Sequence, residues 1–320
     1  MNNTIILCLF IASICAFVLF VLSSIAAYYL FLVIILSSSD KSFIFAAPHN
    51  KEKNASEDSK NKDVKYKNFF LENSTEKYIK SKDKLKLHSY ILKNKTPSKN
   101  WVIMCHGYNG NGLRQIKLSN QFYKMGFNIL IPDARGHGKS EGKYIGMGWL
   151  ERKDILEWIK LILECNPDAK IVLYGVSMGG ATVMMTAGET LPENVKCVIE
   201  DCGYTSVWDE FKYQFTTFFK MSCFPVLHIT SFITKLVNKY SFAEASSINQ
   251  IKKCKIPVLF IHGSKDTFVP VHMVNELYEA ASCPKEILIV KGACHAESFF
   301  VNSKQYQKTV KKFLTKYGVI

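Results

Sequence analysis

Lys-Ile-Val-Leu-Tyr-Gly-Val-Ser-Met-Gly-Gly-Ala, residues 170–181, restricts the fold more than any other stretch of the chain. Ile171 to Tyr174 is a short apolar run of the kind that forms a buried strand, and a helix is expected to open at Gly179 and Gly180. A strand that turns directly into a helix forces its corner residue into a strained backbone conformation, and flanking glycines leave room for the turn. That corner residue is Ser177. The spacing alone also fits a small-residue turn with an ordinary serine, so the surrounding pattern has to decide between the two.

From Trp101 onward, compact apolar runs alternate with amphipathic stretches. Val102–Cys105, Phe127–Ile131, Ile171–Tyr174, Val195–Ile199, Val258–Ile261 and Ile287–Val290 read as buried strands, and Trp149–Leu163 and Val271–Ala281 as helices. Such alternation predicts an α/β fold, a mostly parallel central sheet with helices on both faces. Glu76–Ile91, with a turn at Ser81-Lys82-Asp83, reads as an antiparallel hairpin at the start of the sheet. In folds of this class, functional groups gather at the C-terminal ends of the strands.

Three such strand ends carry the residue types of nucleophilic catalysis. Ser177 follows the third parallel run, Asp266 lies in His262-Gly263-Ser264-Lys265-Asp266, and His295 lies in Lys291-Gly292-Ala293-Cys294-His295. A serine hydroxyl is a poor nucleophile until a histidine accepts its proton, and that histidine needs a carboxylate to set its tautomer and stabilise its charge. Ser177, Asp266 and His295 are the expected catalytic residues, with Asp201 the rival for the acid because it too follows a strand end. The glycine-rich loop His106-Gly107-Tyr108-Asn109-Gly110 is placed to turn a backbone N–H, that of Tyr108, toward the nucleophile. With the N–H of Met178 it would form an oxyanion hole. Asp133, Arg135 and His137 fall in one tight turn that reads as bracing, because no further residues at metal-ligand spacing accompany them.

Residues 4–36 carry no charge and are almost all apolar, more than the roughly 20 residues a helix needs to cross a bilayer. They read as a transmembrane helix: Met1-Asn2-Asn3 lacks the basic start of a signal peptide, and the run is longer than one. Lys41, Lys51 and Lys53 follow the helix, which places the body on the cytoplasmic side as a single-pass membrane protein. Residues 37–67, polar and lysine-rich, read as a flexible tether, and residues 68–320 as the catalytic body. Residues 206–249 are too long for one crossover and crowded with aromatics, among them Trp208, Phe211, Tyr213, Phe215, Phe218, Phe219 and Phe224; they read as a helical cap lining an apolar pocket.

The formal net charge of +14 raises a nucleic-acid reading. Arginine, the residue suited to bidentate phosphate and base contacts, occurs only at positions 114, 135 and 152, so no nucleic-acid partner is expected. The ten cysteines form no CxxC pair and no zinc spacing, so neither metal nor disulfide framework is expected.

With these motifs assembled, the chain from about Glu76 resembles the α/β-hydrolase superfamily. It is similar in particular to bacterial membrane-anchored hydrolases related to the monoacylglycerol-lipase-like and prolyl-oligopeptidase-like branches. The resemblance rests on His106-Gly107-Tyr108, Asp133-x-Arg135-Gly136-His137-Gly138-x-Ser140, Gly175-x-Ser177-Met178-Gly179-Gly180, Glu200-Asp201-Cys202-Gly203-Tyr204, His262-Gly263-x-x-Asp266 and Gly292-x-x-His295. It departs from the pattern at Cys294, where a small residue is usual. The resemblance implies a serine hydrolase working through an acyl-enzyme with no cofactor, acting on a small-molecule carboxylic ester, including lipid-like ones. A peptidase or amidase of prolyl-oligopeptidase-like type, and a catalytically inactive membrane-tethered binding module, are the alternatives.

Overall fold

The computed structural model describes residues 3–39, 57–217 and 220–320. Helices α1 (Asn3–Ile35) and α2 (Glu57–Asn73) lead into strands β1 (Thr75–Lys80), β2 (Lys86–Leu92) and β3 (Asn100–Cys105). Next come α3 (Ile116–Lys124), β4 (Asn128–Pro132), α4 (Glu151–Cys165), β5 (Lys170–Val176), α5 (Met178–Ala187) and β6 (Val195–Asp201). Helices α6 (Val207–Thr217), α7 (Val226–Asn238) and α8 (Ser247–Ile251) separate β6 from β7 (Val258–Gly263). The chain ends with α9 (His272–Ala280), β8 (Lys285–Val290), α10 (Ser298–Val301) and α11 (Ser303–Lys316).

The eight strands form one sheet in the order β1-β2-β4-β3-β5-β6-β7-β8. The β1/β2 and β2/β4 pairings are antiparallel and the rest parallel. Alternate residues of each inner strand serve opposite faces, as a period of two requires. Val102 and Met104 of β3, with Val172 and Tyr174 of β5, pack under Phe122 of α3 and Tyr306 and Phe313 of α11. Trp101, Ile103, Ile171 and Leu173 pack on the other side, under Trp158 and Ile159 of α4 and Leu277 of α9. The inner strands are covered on both faces, which is why they read as continuous apolar runs.

A third apolar cluster sits above the C-terminal strand ends and joins parts far apart in sequence. Phe31, Ile34 and Ile35 of α1 meet Met178 beside the nucleophile candidate, together with Leu227, Tyr240 and Phe242 of the cap region. Residues 3–22 of α1 are all exposed, whereas Ala27, Phe31, Ile34 and Ile35 are buried. The last carbonyls of a helix have no intrahelical partner. Those of α1 are capped by the body: Tyr108 donates its hydroxyl to Ile34 O at 2.7 Å, and Ile145 its N–H to Ile35 O at 2.8 Å. Ser37 N–H then donates to Lys143 O at 2.8 Å.

The expected tether, residues 37–67, is described only at its two ends, and both are ordered. Residues 40–56 of it lie outside the described residues, but Ser37 is held to the body and the chain is helical from Glu57. Aromatic side chains on either side of the expected boundary at residue 67 hold this helix to the body. Tyr66 and Phe70 are buried, with Phe70 edge-on to Tyr90 of β2 and Tyr66 hydrogen-bonded to Ser119 at 3.1 Å.

Candidate active site

Ser177 stands between β5 and α5 with φ 57° and ψ −119°, a left-handed conformation costly for a residue with a side chain, by about 1–3 kcal/mol. Its N–H donates to Asp201 O at 2.8 Å. The glycines around it are demanded by close backbone approach. A Cβ on Gly175 would lie 2.1 Å from Gly179 O, and one on Gly179 would lie 2.2 Å from Cys105 O. The corner therefore folds tightly enough to hold the Ser177 side chain clear of both elements.

His295 and Asp266 reach this corner from the loops after β8 and β7. His295 Nε2 lies 2.8 Å from Ser177 Oγ, and His295 Nδ1 lies 2.8 Å from Asp266 Oδ2. All three residues are buried, Ser177 and His295 each retaining 8% exposure. Asp266 Oδ1 accepts the N–H groups of Phe268 and Val269, both at 2.9 Å. Burial alone would raise the Asp266 pKa, but hydrogen bonds and charge from His262 and His295 outweigh it and hold the carboxyl at about 2. The Phe268 ring lies against the imidazole, centroids 4.9 Å apart.

The rival acid is engaged elsewhere. Asp201 Oδ2 accepts the Tyr306 hydroxyl at 3.0 Å, and Tyr306 in turn pairs with Tyr174 at 2.9 Å. Burial, the largest influence on Asp201, pushes its pKa up to about 6.

The two expected oxyanion donors differ in how they are held. Met178 is the first residue of α5, where an N–H has no intrahelical acceptor and the helix dipole favours negative charge. Tyr108 follows Gly107, whose backbone runs so close to Ser177 that a Cβ there would lie 3.3 Å from Ser177 Cβ. Loop position is also set by His106, whose Nε2 accepts the Ala134 N–H at 3.0 Å while Nδ1 donates to Gly107 O at 2.8 Å.

The Asp133–Ser140 turn is saturated with structural bonds, consistent with bracing. Asp133 accepts the N–H groups of Gly112 at 2.6 Å and Lys139 at 2.9 Å and pairs with His88 at 2.8 Å. Arg135 forks onto Asp154 at 2.7 and 2.8 Å and onto Asp83 at 2.8 and 3.2 Å.

Two neighbours of the site have no role in the sequence reading. His262 donates Nε2–H to Val269 O at 2.9 Å and lies 3.3 Å from Asp266 Oδ2. Burial opposes its charge, but Asp266 prevails and raises the pKa above the ordinary histidine value. Its position four residues before Asp266 was the available signal. The second is Cys202, whose sulfur lies within 4.8 Å of the ligand atoms of Asp266 and His295, a grouping that sequence spacing cannot reveal. Burial raises its thiol far above the ordinary value, whereas the metal-binding form is the thiolate, and the Asp266 and His295 atoms already face each other.

The expected pocket-lining aromatics divide. Phe215 is buried, Trp208, Phe211 and Tyr213 are partly buried, and Phe224 is 72% exposed, so Phe224 is not a lining residue. Phe218 and Phe219 lie outside the described residues.

Comparison with known proteins bears on the fold that carries this site. Residues 100–221 match the family model described as the alpha/beta hydrolase fold. The uncharacterized protein YqkD of Bacillus subtilis strain 168 is 33% identical over 226 residues, covering 70% of this chain and 73% of that protein. Among solved structures, an esterase of Pyrococcus furiosus superposes with a TM-score of 0.62 at 24% identity, covering 76% of this chain and 91% of the esterase. The acylaminoacyl peptidase of Pyrococcus horikoshii superposes with a TM-score of 0.57 at 19% identity, covering 76% of this chain and 41% of the peptidase. The elbow, the eight-stranded sheet and these likenesses make the chain a member of the α/β-hydrolase superfamily.

Proposed function

We propose that this protein is a membrane-anchored serine hydrolase that cleaves carboxylic esters, small or lipid-like, through Ser177, His295 and Asp266. The observation that carries the reading is the continuous relay from Ser177 Oγ through His295 to Asp266, with both contacts at 2.8 Å. In this mechanism His295 Nε2 takes the Ser177 proton as Oγ attacks the ester carbonyl. Asp266, ionised down to about pH 2, holds Nδ1–H and stabilises the imidazolium. The N–H groups of Met178 and Tyr108 receive the oxyanion, the alcohol departs with the proton from His295, and His295 then activates the water that releases the acid.

The 33-residue α1 supports the anchor reading, since its exposed segment over residues 3–22 is about 30 Å long at 1.5 Å per residue, the thickness of bilayer hydrocarbon. The lysines after it favour a cytoplasmic body. A fold shared with an esterase makes esters the first substrates to test, and the fold shared with a peptidase requires amides beside them.

The test is fluorophosphonate labelling of the full chain and of Ser177→Ala, followed by p-nitrophenyl esters and anilides of increasing acyl length. Labelling and ester turnover are expected in the native protein and absent in the variant. Turnover of anilides in preference to esters would transfer the assignment to the peptidase reading. Absence of labelling in folded protein would favour the binding module.

A further inference from the structure

The cap helix α7 buries one face and leaves the other conspicuously apolar. Leu227, Thr230, Ser231 and Thr234 are buried, whereas Phe232 is 61% and Leu236 57% exposed. Phe224, just before the helix, is 72% exposed, and Met221 is 52% exposed. His228, Phe232 and Leu236 recur every four residues along α7 and so share one stripe of surface, and the Phe224 ring lies edge-on to His228 at its start, centroids 5.6 Å apart. The outer faces of α4 and α11 carry lysine instead, at Lys160 and at Lys308, Lys311 and Lys312. Large exposed apolar side chains gathered on one face mark a surface that meets something other than water.

What covers this stripe is indicated by the helix next to it. Thr230, in the middle of α7, donates its hydroxyl to Ala27 O of α1 at 3.2 Å, and both residues are buried. The next residues of α1, Tyr28 and Tyr29, are 54% and 69% exposed. Tyrosines at the end of a membrane span sit at headgroup level, with their rings toward the acyl chains and their hydroxyls toward water. Before them, residues 3–22 of α1 are all exposed and almost all apolar, and after the partly covered Ser23 and Ser24 the apolar surface resumes at Ile25, 62% exposed. The α7 stripe is therefore level with the point where α1 leaves the hydrocarbon. Exposed Lys220 and Lys239 flank the stripe at its two ends, where long side chains can reach lipid phosphates.

We propose that α7 lies in the interface of the same bilayer that α1 enters, with Phe224, Phe232 and Leu236 inserted at the headgroup–acyl boundary. The occupant is lipid, because the apolar surface of α7 continues that of the membrane span. This proposal rests on the reading of α1 as a membrane anchor, and the experiment separates the two.

An environment-sensitive fluorescent amino acid is placed, one site at a time, at Phe17, Phe232, Leu236 and Lys160 of the full chain. Each protein is reconstituted into phosphatidylcholine–phosphatidylglycerol vesicles and confirmed as folded by its melting curve. Quenching is read with lipids carrying a nitroxide near the headgroup or deep in the acyl chain, and with aqueous iodide. The expected result is deep quenching at Phe17, blue-shifted emission with predominantly shallow quenching at Phe232 and Leu236, and iodide quenching alone at Lys160. Lipid quenching at Phe17 with iodide quenching at Phe232 and Leu236 would overturn the α7 proposal and leave the anchor standing. Blue-shifted emission at Phe232 without lipid quenching would also overturn it, in favour of a protein contact such as a second copy. Iodide quenching at Phe17 would remove the anchor and the proposal together.

Discussion

Two buried carboxylate–imidazole pairs in this protein have the same contact geometry and different surroundings. Asp266 Oδ2 faces His295 Nδ1 at 2.8 Å, and Asp133 Oδ2 faces His88 Nδ1 at 2.8 Å. The second nitrogen of His295 meets Ser177 Oγ at 2.8 Å. That of His88 lies 3.4 Å from Glu76 Oε2, and the ring is enclosed between Tyr78 and Tyr90 with centroids 5.0 and 4.6 Å away. Each carboxylate orients its imidazole in the same way. What distinguishes the pairs is the atom beyond the ring: a hydroxyl on a strained corner in one case, an acid at the sheet edge in the other. An Asp–His pair is thus a positioning device, and a nucleophile on the far nitrogen is what the proposed chemistry adds.

The largest effect that can break this comparison comes from His295→Ala, which should abolish fluorophosphonate labelling and lower kcat by about 10⁴- to 10⁶-fold. Asp266→Asn should come next, with kcat down by about 10⁴-fold because the imidazole loses its tautomer and its charge partner. Asp133→Asn should do the opposite: a stability loss of about 1–3 kcal/mol in chemical denaturation, from buried donors left unpaired, with kcat little changed. Equal loss of kcat in the two asparagine variants would erase the distinction drawn between the pairs.

A smaller effect sharpens the comparison at the oxyanion loop. Tyr108→Phe removes the hydrogen bond to Ile34 O of α1, worth about 1 kcal/mol, and should lower kcat about fivefold if that bond holds the loop in register. An unchanged kcat with a lower melting temperature would assign the bond to holding α1 on the body alone.

An effect of another kind, on stability rather than on rate, is the dependence on pH. Burial, as the main cause, lifts Asp201 to about 6 and Glu200 to about 8, so the folded protein keeps protons that the unfolded chain gives up near pH 4. Between about pH 4 and those values these groups make stability fall as pH rises. Asp266 acts in the opposite sense: its contribution is complete above about pH 4 and is lost only as pH falls toward 2. Thermal midpoints should therefore decline from pH 5 to pH 8, and replacing Glu200 by Gln should flatten the decline. A rising profile over that interval would contradict the burial argument.

Much of the architecture was legible because its causes are local. The elbow follows from Gly175 and Gly179 at fixed distance from Ser177, since no other residue fits against Gly179 O and Cys105 O. The buried strands follow from apolar runs, and the hairpin from alternation around Ser81-Lys82-Asp83, observed as β1 and β2 in antiparallel register. Helix α2 escaped notice because three aromatics over residues 66–70 bury its contact face, and a polar background hides so narrow a stripe. The outward turn of Phe224 was equally hidden, since an aromatic in a cap looks the same whether it lines a pocket or leaves the surface.

By itself the sequence determined which segments are strands, which corner holds a strained serine and which loops carry acid, base and oxyanion candidates. Backbone sterics and hydrophobic period act over a few residues, and they are written there. Only the tertiary structure decided that Asp266, and not Asp201, faces His295, that His88 spends its ring on Asp133, and that the last turns of α1 are capped by Tyr108 and Ile145. Those outcomes depend on which polar atoms arrive within about 3 Å of one another across separations of tens to about a hundred residues. Hydrogen-bond partnership at that range is a property of the packed molecule, because each buried polar group pairs with whatever the fold brings to it.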